Sequence, residues 1–128
     1  MILGFGMDVV EIGRIERILA GPSGRAGRFL ERCFTAAERA YCEARVDRAG
    51  RYAARFAAKE AAVKALGAPA GVRWTDLEVS RAEGAPTVAL GGPAAAAAAR
   101  LGVRRVHLTI SHDAGIAAAA VILEGTAP

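Results

Sequence analysis

Apolar and polar positions alternate with two different periods along this chain, and the switches between them mark its elements. Residues 2–10, ILGFGMDVV, are a nearly unbroken apolar run with one carboxylate, Asp8, near its end, and predict a buried strand. From Glu11 to Leu19 the apolar positions move to Ile12, Ile15, Ile18 and Leu19, the stripe of a helix. GPSG (21–24) predicts a loop, followed by a short helix carrying Arg25, Arg28 and Arg32 at three- and four-residue spacing. TAAE (35–38) has the form of a capping box, in which Thr35 caps the N3 amide and Glu38 reaches back, opening a helix to about Arg45. A longer helix is expected from about Asp47 to Leu66, with Gly67 as its stop.

The second half changes character. Residues Trp74 to Ser80 predict a strand, EGAP (83–86) a turn and TVAL (87–90) a short strand. GGPAAAAAARLG (91–102) predicts a helix with Pro93 in its first turn. In VRRVHLTISHD (103–113), Val106, Leu108 and Ile110 alternate with Arg105, His107 and Thr109, the mark of a half-buried strand, and GIAAAAVIL (115–123) predicts the last strand. A strand, several helices, then strands around one helix predict an α+β fold, with residues 1–128 forming one domain.

Composition narrows the class. The 128 residues suffice for one domain with a real core, and 53% hydrophobic content with only 5% aromatic predicts close packing of small side chains. No uncharged apolar run reaches the roughly 18 residues of a membrane span. The longest candidate, Ala85 to Ala99, is broken by Gly91, Gly92 and Pro93. The N-terminal run has no basic region or cleavage site, so no secretory signal is expected and the expected location is cytoplasmic. Cys33 and Cys42 lack metal-ligand spacing and read as buried thiols rather than a disulfide. A net charge of +4 favours an acidic partner. Nucleic acid is the first guess from charge alone, but zinc-finger spacing, an aromatic RNA-binding motif and a helix-turn-helix signal are not seen.

The chemistry concentrates in RFAAKEAAVKALG (55–67). The chain has fifteen arginines and two lysines, and both lysines, Lys59 and Lys64, fall inside this stretch. Phe56, Glu60 and Lys64 share one helical face, with Arg55 and Lys59 in a neighbouring row. A solvated face of i,i+4 pairs would account for the spacing. Lysine, however, is a compact ammonium that can give up a proton or bind phosphate as a point charge, and arginine does the first poorly. Asp8 alone reads as a turn or cap residue. Paired in space with Glu60, it would make an oxygen site suited to Mg²⁺, which takes one or two carboxylates and substrate phosphate. SHD (111–113) lacks the elbow a catalytic triad would need and reads better as a phosphate- or ribose-binding group.

The ordered set GMDVVEIGRI (6–15), FTAAERAYC (34–42), RFAAKEAAVKALG (55–67), EGAP (83–86) and ISHDAGIAAAAV (110–121) resembles the holo-acyl-carrier-protein synthases, the small class of 4′-phosphopantetheinyl transferases. The resemblance covers almost the whole chain. It implies transfer of the 4′-phosphopantetheine arm of coenzyme A to a serine hydroxyl of an apo acyl carrier protein, releasing adenosine 3′,5′-bisphosphate. It implies that Asp8 and Glu60 hold Mg²⁺ against the coenzyme A diphosphate and that Lys64 stabilises or protonates the leaving phosphate. Arg55, Lys59, His112 and the turn containing Gly84 and Pro86 match regions that hold coenzyme A. The serine comes from the partner, so no activated nucleophile is needed. The general base stays open among Glu60, Asp8 and a water held at the site.

The resemblance further implies a homotrimer with active sites between subunits. Phe56 departs from it, standing where many family members carry tryptophan. Arg14 and Arg17 should project away from the isoleucine stripe, with Arg25, Arg28 and Arg32 beyond the loop, and this basic face is expected to meet the acidic carrier protein. Two rivals stand beside this reading: a basic nucleic-acid-binding module, and a domain of the same fold that binds carrier protein without catalysis.

Overall fold

The computed structural model describes residues 1–81 and 84–127. Its fold is α+β, with the order β1 (Ile2–Glu11), α1 (Ile12–Ala20), α2 (Ser23–Cys33), α3 (Ala36–Glu43), α4 (Arg48–Ala65), β2 (Leu77–Ser80), β3 (Thr87–Leu90), α5 (Gly92–Leu101), β4 (Val103–Asp113) and β5 (Ile116–Gly125). Two antiparallel sheets form: a three-stranded one in the order β1-β5-β4 and a two-stranded one of β2 and β3. In the larger sheet Asp8 lies opposite Ala119, which lies opposite Ile110.

Helix α4, about 27 Å long at 1.5 Å per residue, lies across one face of this sheet. Its alanines make that possible. Ala57, Ala58, Ala61 and Ala62 are buried, and Ala117, Ala119, Val121 and Leu123 of β5 are buried on the sheet side. The approach is closest at Gly4 and Gly6. A Cβ on either would fall inside the carbonyl oxygens of Ala65 and Ala61 respectively. These two glycines alternate along β1, so they share its inner face, and so does Asp8 two residues further on.

Most element boundaries agree with expectation. The capping box is present: the Glu38 amide donates to Thr35 Oγ1 (3.2 Å) and the Thr35 amide to Glu38 Oε1 (2.8 Å). Gly67 stops α4 at φ 82°, and the Ala68 amide donates to the Val63 carbonyl. Three readings change. Trp74–Asp76 is a 3₁₀ turn rather than the start of a strand, closed by Asp76 Oδ2 accepting from the Arg73 amide (2.8 Å). The loop before α2 is shorter, because the Pro22 carbonyl accepts from the Arg25 and Ala26 amides and α2 starts at Ser23. The last strand runs on to Gly125, paired with Val103. Of the expected turn at 83–86, Glu83 lies outside the described residues. Among the described residues no helix is long and apolar enough to cross a membrane.

Candidate active site

The close approach of Gly6 to Ala61 sets the position of β1 along α4. The next inward residue of β1, Asp8, is thereby brought to the flank of α4 that carries Glu60 and Lys64. Lys64 Nζ donates to Asp8 Oδ1 (3.0 Å) and to the Met7 carbonyl (3.1 Å). Glu60 holds its proton more tightly than an ordinary glutamate, first because it is partly buried and second because of the Asp8 charge. Lys64 and Arg14 pull the other way. Two carboxylates and two cations therefore share one small region, drawn from β1, α1 and α4.

The donor set fits a hard divalent cation. Among the described residues no group of three or more histidine, cysteine, aspartate or glutamate side chains is placed to hold a metal. A two-carboxylate site of oxygen ligands is what Mg²⁺ uses when substrate phosphate completes its shell. The Asp8 charge adds to the raised proton affinity of Glu60, and a cation held between the two carboxylates would offset it.

The opposite flank of α4 carries a different site. Arg55 and Lys64 are nine residues apart, about two and a half helical turns, so they point to opposite sides. On the Arg55 side a cavity of about 270 Å³ is lined by Tyr41, Arg51, Arg55, Arg81, Pro86, Ser111 and His112, among others. Arg51 Nε and Arg55 Nε are buried there without a hydrogen-bond partner among the described residues. The Arg55 guanidinium lies 4.0 Å from the centre of the Tyr41 ring and that of Arg45 4.2 Å from it. Hydrogen bonding to Arg45 holds the Tyr41 hydroxyl below its ordinary range. Such a cluster is built for an anion with several acceptor oxygens.

Lys59 differs from expectation. Its side chain is fully buried, and Nζ donates to Glu38 Oε1 (2.5 Å), the Cys33 carbonyl (2.8 Å) and the Trp74 carbonyl (3.0 Å). All three of its hydrogens are taken by the protein, so it cannot also contact coenzyme A. At helical spacing it continues the Arg55 row by one turn, where α3 and the 3₁₀ turn cover it. In SHD, Asp113 Oδ1 accepts from the Ala114 amide (2.9 Å), closing the hairpin between β4 and β5, while Ser111 and His112 face the arginine cavity. Gly84 is exposed at φ 85°, two residues before Pro86 of the cavity wall.

The basic face divides. Arg14 is close enough to Glu60 to act on it, whereas Arg17 is exposed and pairs with Glu11 at 3.6 Å. Arg25, Arg28 and Arg32 line a concavity of about 400 Å³ with Ile18 and Phe29. Tyr41, Arg51 and Arg81 are cavity residues that the sequence reading misses. Arg51 is within its reach, since it extends the Arg55 row by one turn, and Tyr41 lies three residues after the capping-box glutamate. Nothing in the sequence singles out Arg81.

Comparison with known proteins identifies the family. Residues 4–120 match the family described as the 4′-phosphopantetheinyl transferase superfamily. A holo-acyl-carrier-protein synthase of Anaeromyxobacter sp. (strain K) is 73% identical over 128 residues, all of both chains. Among solved structures, the holo-acyl-carrier-protein synthase of Bacillus anthracis in complex with coenzyme A (3′,5′-ADP) is 34% identical, with a TM-score of 0.78 over 98% of this chain and 99% of that one. The Helicobacter pylori enzyme in complex with coenzyme A is 31% identical, with a TM-score of 0.78 over 94% and 99%. This chain belongs to the 4′-phosphopantetheinyl transferase superfamily, among its holo-acyl-carrier-protein synthases.

Proposed function

We propose that this enzyme moves the 4′-phosphopantetheine arm of coenzyme A to a serine hydroxyl of an apo acyl carrier protein and releases adenosine 3′,5′-bisphosphate. The observation that carries it is the contact of Lys64 with Asp8, 56 residues apart, at the edge of α4 where both also act on Glu60. Asp8 and Glu60 would hold Mg²⁺, which when bound supplies charge neutralisation at the diphosphate. Lys64 presents its ammonium beside the same carboxylates, where negative charge grows on the leaving bisphosphate, and can donate a proton there. The attacking serine belongs to the carrier protein, so the chain needs positioning and charge rather than a nucleophile of its own.

Coenzyme A carries a second anionic group, the 3′-phosphate, and the arginine cavity is the matching site. Within one chain that cavity and the Asp8 corner are separated by α4, with the sheet on one side and α3 and the 3₁₀ turn on the other. One coenzyme A would therefore use the Asp8 corner of one subunit and the arginine cavity of the next. The outer face of β1 supports such an assembly, because Phe5, Met7 and Val9 are 58%, 52% and 56% exposed on an uncovered sheet face. A second copy is the occupant that also completes the site. Closed rings are the usual outcome of such head-to-tail contacts, and we take the ring to be a trimer. Arg14 and Arg17, with the concavity of Arg25 and Arg28, form the face offered to the acidic carrier protein. The enzyme works as one domain, in the cytoplasm.

Mixing two impaired variants tests the shared site. Asp8→Ala, and Arg55→Ala assayed well below saturating coenzyme A, should each transfer poorly alone and regain transfer when unfolded and refolded together, because some interfaces then pair an intact Asp8 with an intact Arg55. Failure to regain activity, with mixed oligomers present, would place both groups in one subunit's site.

A further inference from the structure

We infer that the buried Lys59–Glu38 ion pair is a positioning device for the arginine cavity, setting its affinity for the phosphate remote from the metal corner. The inference rests on the reading of that cavity as a coenzyme A site. Lys59 Nζ joins the end of α2 through the Cys33 carbonyl, α3 through Glu38, and the 3₁₀ turn through the Trp74 carbonyl. Glu38 Oε2 accepts from the Val79 amide of β2 (2.7 Å), while Oε1 also accepts from the Thr35 amide (2.8 Å). Thr35 Oγ1 in turn donates to Glu78 Oε1 (2.7 Å). Five segments are pinned to one pair of charges, both with fully buried side chains.

Three cavity residues lie one step from this pair. Arg55 is four residues before Lys59 on α4, one turn away on the same row. Tyr41 is three residues after Glu38, the next turn of α3. Val79, whose amide Glu38 holds, lines the cavity itself. The contact of Arg55 with the Tyr41 ring thus repeats, one turn along, the contact of Lys59 with Glu38. If α3 slides against α4, the Arg55 guanidinium loses the ring that holds it, and the cavity wall that Arg55 shares with Arg51 is displaced.

The chemistry also accounts for a lysine at this position in a chain of arginines. Three acceptors from three segments surround one point, and an ammonium with three rotatable donors satisfies them. A planar guanidinium fork cannot. Burial lowers the proton affinity of Lys59, and the Glu38 charge works against that. Lys59 touches no substrate in this scheme and acts through Arg55 and Tyr41.

The test compares binding of coenzyme A with binding of its analogue lacking the 3′-phosphate, by calorimetry, alongside KM, kcat and melting temperature. Lys59→Met strands the Glu38 charge and can fail to fold, so the double variant Lys59→Met with Glu38→Gln, which buries no net charge, is measured as well. In whichever variant folds, coenzyme A binding should weaken about tenfold and its KM rise in step. Turnover at saturation and the KM for carrier protein should stay within about twofold, and the analogue should bind as to the wild type. Lys59→Arg should not rescue. Wild-type affinity for coenzyme A in the folded double variant, or equal weakening toward both ligands, would overturn the positioning role and leave the cavity assignment standing. An Arg55→Ala variant that binds coenzyme A as tightly as the wild type would overturn the cavity assignment, and the inference with it.

Discussion

Lys59 and Lys64 stand five residues apart on one helix, and their surroundings have almost nothing in common. The Lys59 side chain is 0% exposed and bonded on all three sides, against a Glu38 that is equally buried. The Lys64 side chain is 52% exposed and meets an Asp8 that is 17% exposed. The first belongs to the packing of five segments, the second to an open corner where charge is concentrated. Residue type and spacing are therefore silent on role, and burial decides it. A buried charge that loses its partner costs about 3–5 kcal/mol, whereas an exposed pair contributes about 0–1 kcal/mol. The protein can change Lys64 with little structural consequence and Lys59 with a great deal.

The sharpest way to break this contrast is to remove the carboxylates of the open corner. Asp8→Ala or Glu60→Ala should abolish detectable transfer while circular dichroism stays native. Retained activity in either would remove the metal corner from the mechanism. Next in size is Lys59→Ala, expected to cost about 3–5 kcal/mol and lower the melting temperature by about 10–20 °C. A fall of only a degree or two would mean that the ion pair is not holding the segments together. Lys64→Ala should do the reverse, lowering turnover on the order of 100-fold with the melting point nearly unchanged. Lys64→Arg then separates charge from proton donation: full turnover would leave only the charge in play.

Arg14 sharpens the picture at the edge of the corner. Arg14→Glu should raise the KM for carrier protein several-fold, leave that for coenzyme A nearly unchanged, and reduce the salt dependence of transfer between about 0.05 and 0.15 M. Equal changes for both substrates would remove Arg14 from the docking face. The smallest effect concerns Glu60, whose raised proton affinity means that ionised Glu60 costs stability. Stability from this group is complete below its unfolded pKa and declines as pH rises through the folded one. Glu60→Gln should therefore melt higher than the wild type at pH 7 in metal-free buffer, a gain that disappears under acid conditions. A lower melting point at pH 7 would mean that Glu60 is tied to structure like Lys59.

Local signals are legible in the sequence, and long-range ones are legible only where a resemblance supplies them. The Thr35–Glu38 capping box, the Gly67 stop and the alternation of β4 all depend on neighbours a few residues apart. Trp74–Asp76 reads as strand because its residues suit one, while the Asp76 carboxylate in fact turns back to the Arg73 amide. The expected role of Lys59 fails for a related reason. Glu38 already has a complete local role as a capping-box residue, and its second partner lies 21 residues away. The arginine cavity draws on α3, α4, β2 and β4, so periodicity within any one element could not assemble it.

Mass spectrometry of an apo acyl carrier protein incubated with the enzyme, coenzyme A and Mg²⁺ bears most directly on the proposed reaction. The carrier protein should gain one phosphopantetheine on its serine, with adenosine 3′,5′-bisphosphate released in equal amount. The gain should be lost on chelating the metal and in Asp8→Ala. No mass gain with folded enzyme and a competent carrier protein, or a gain indifferent to chelation and to Asp8→Ala, would contradict the mechanism.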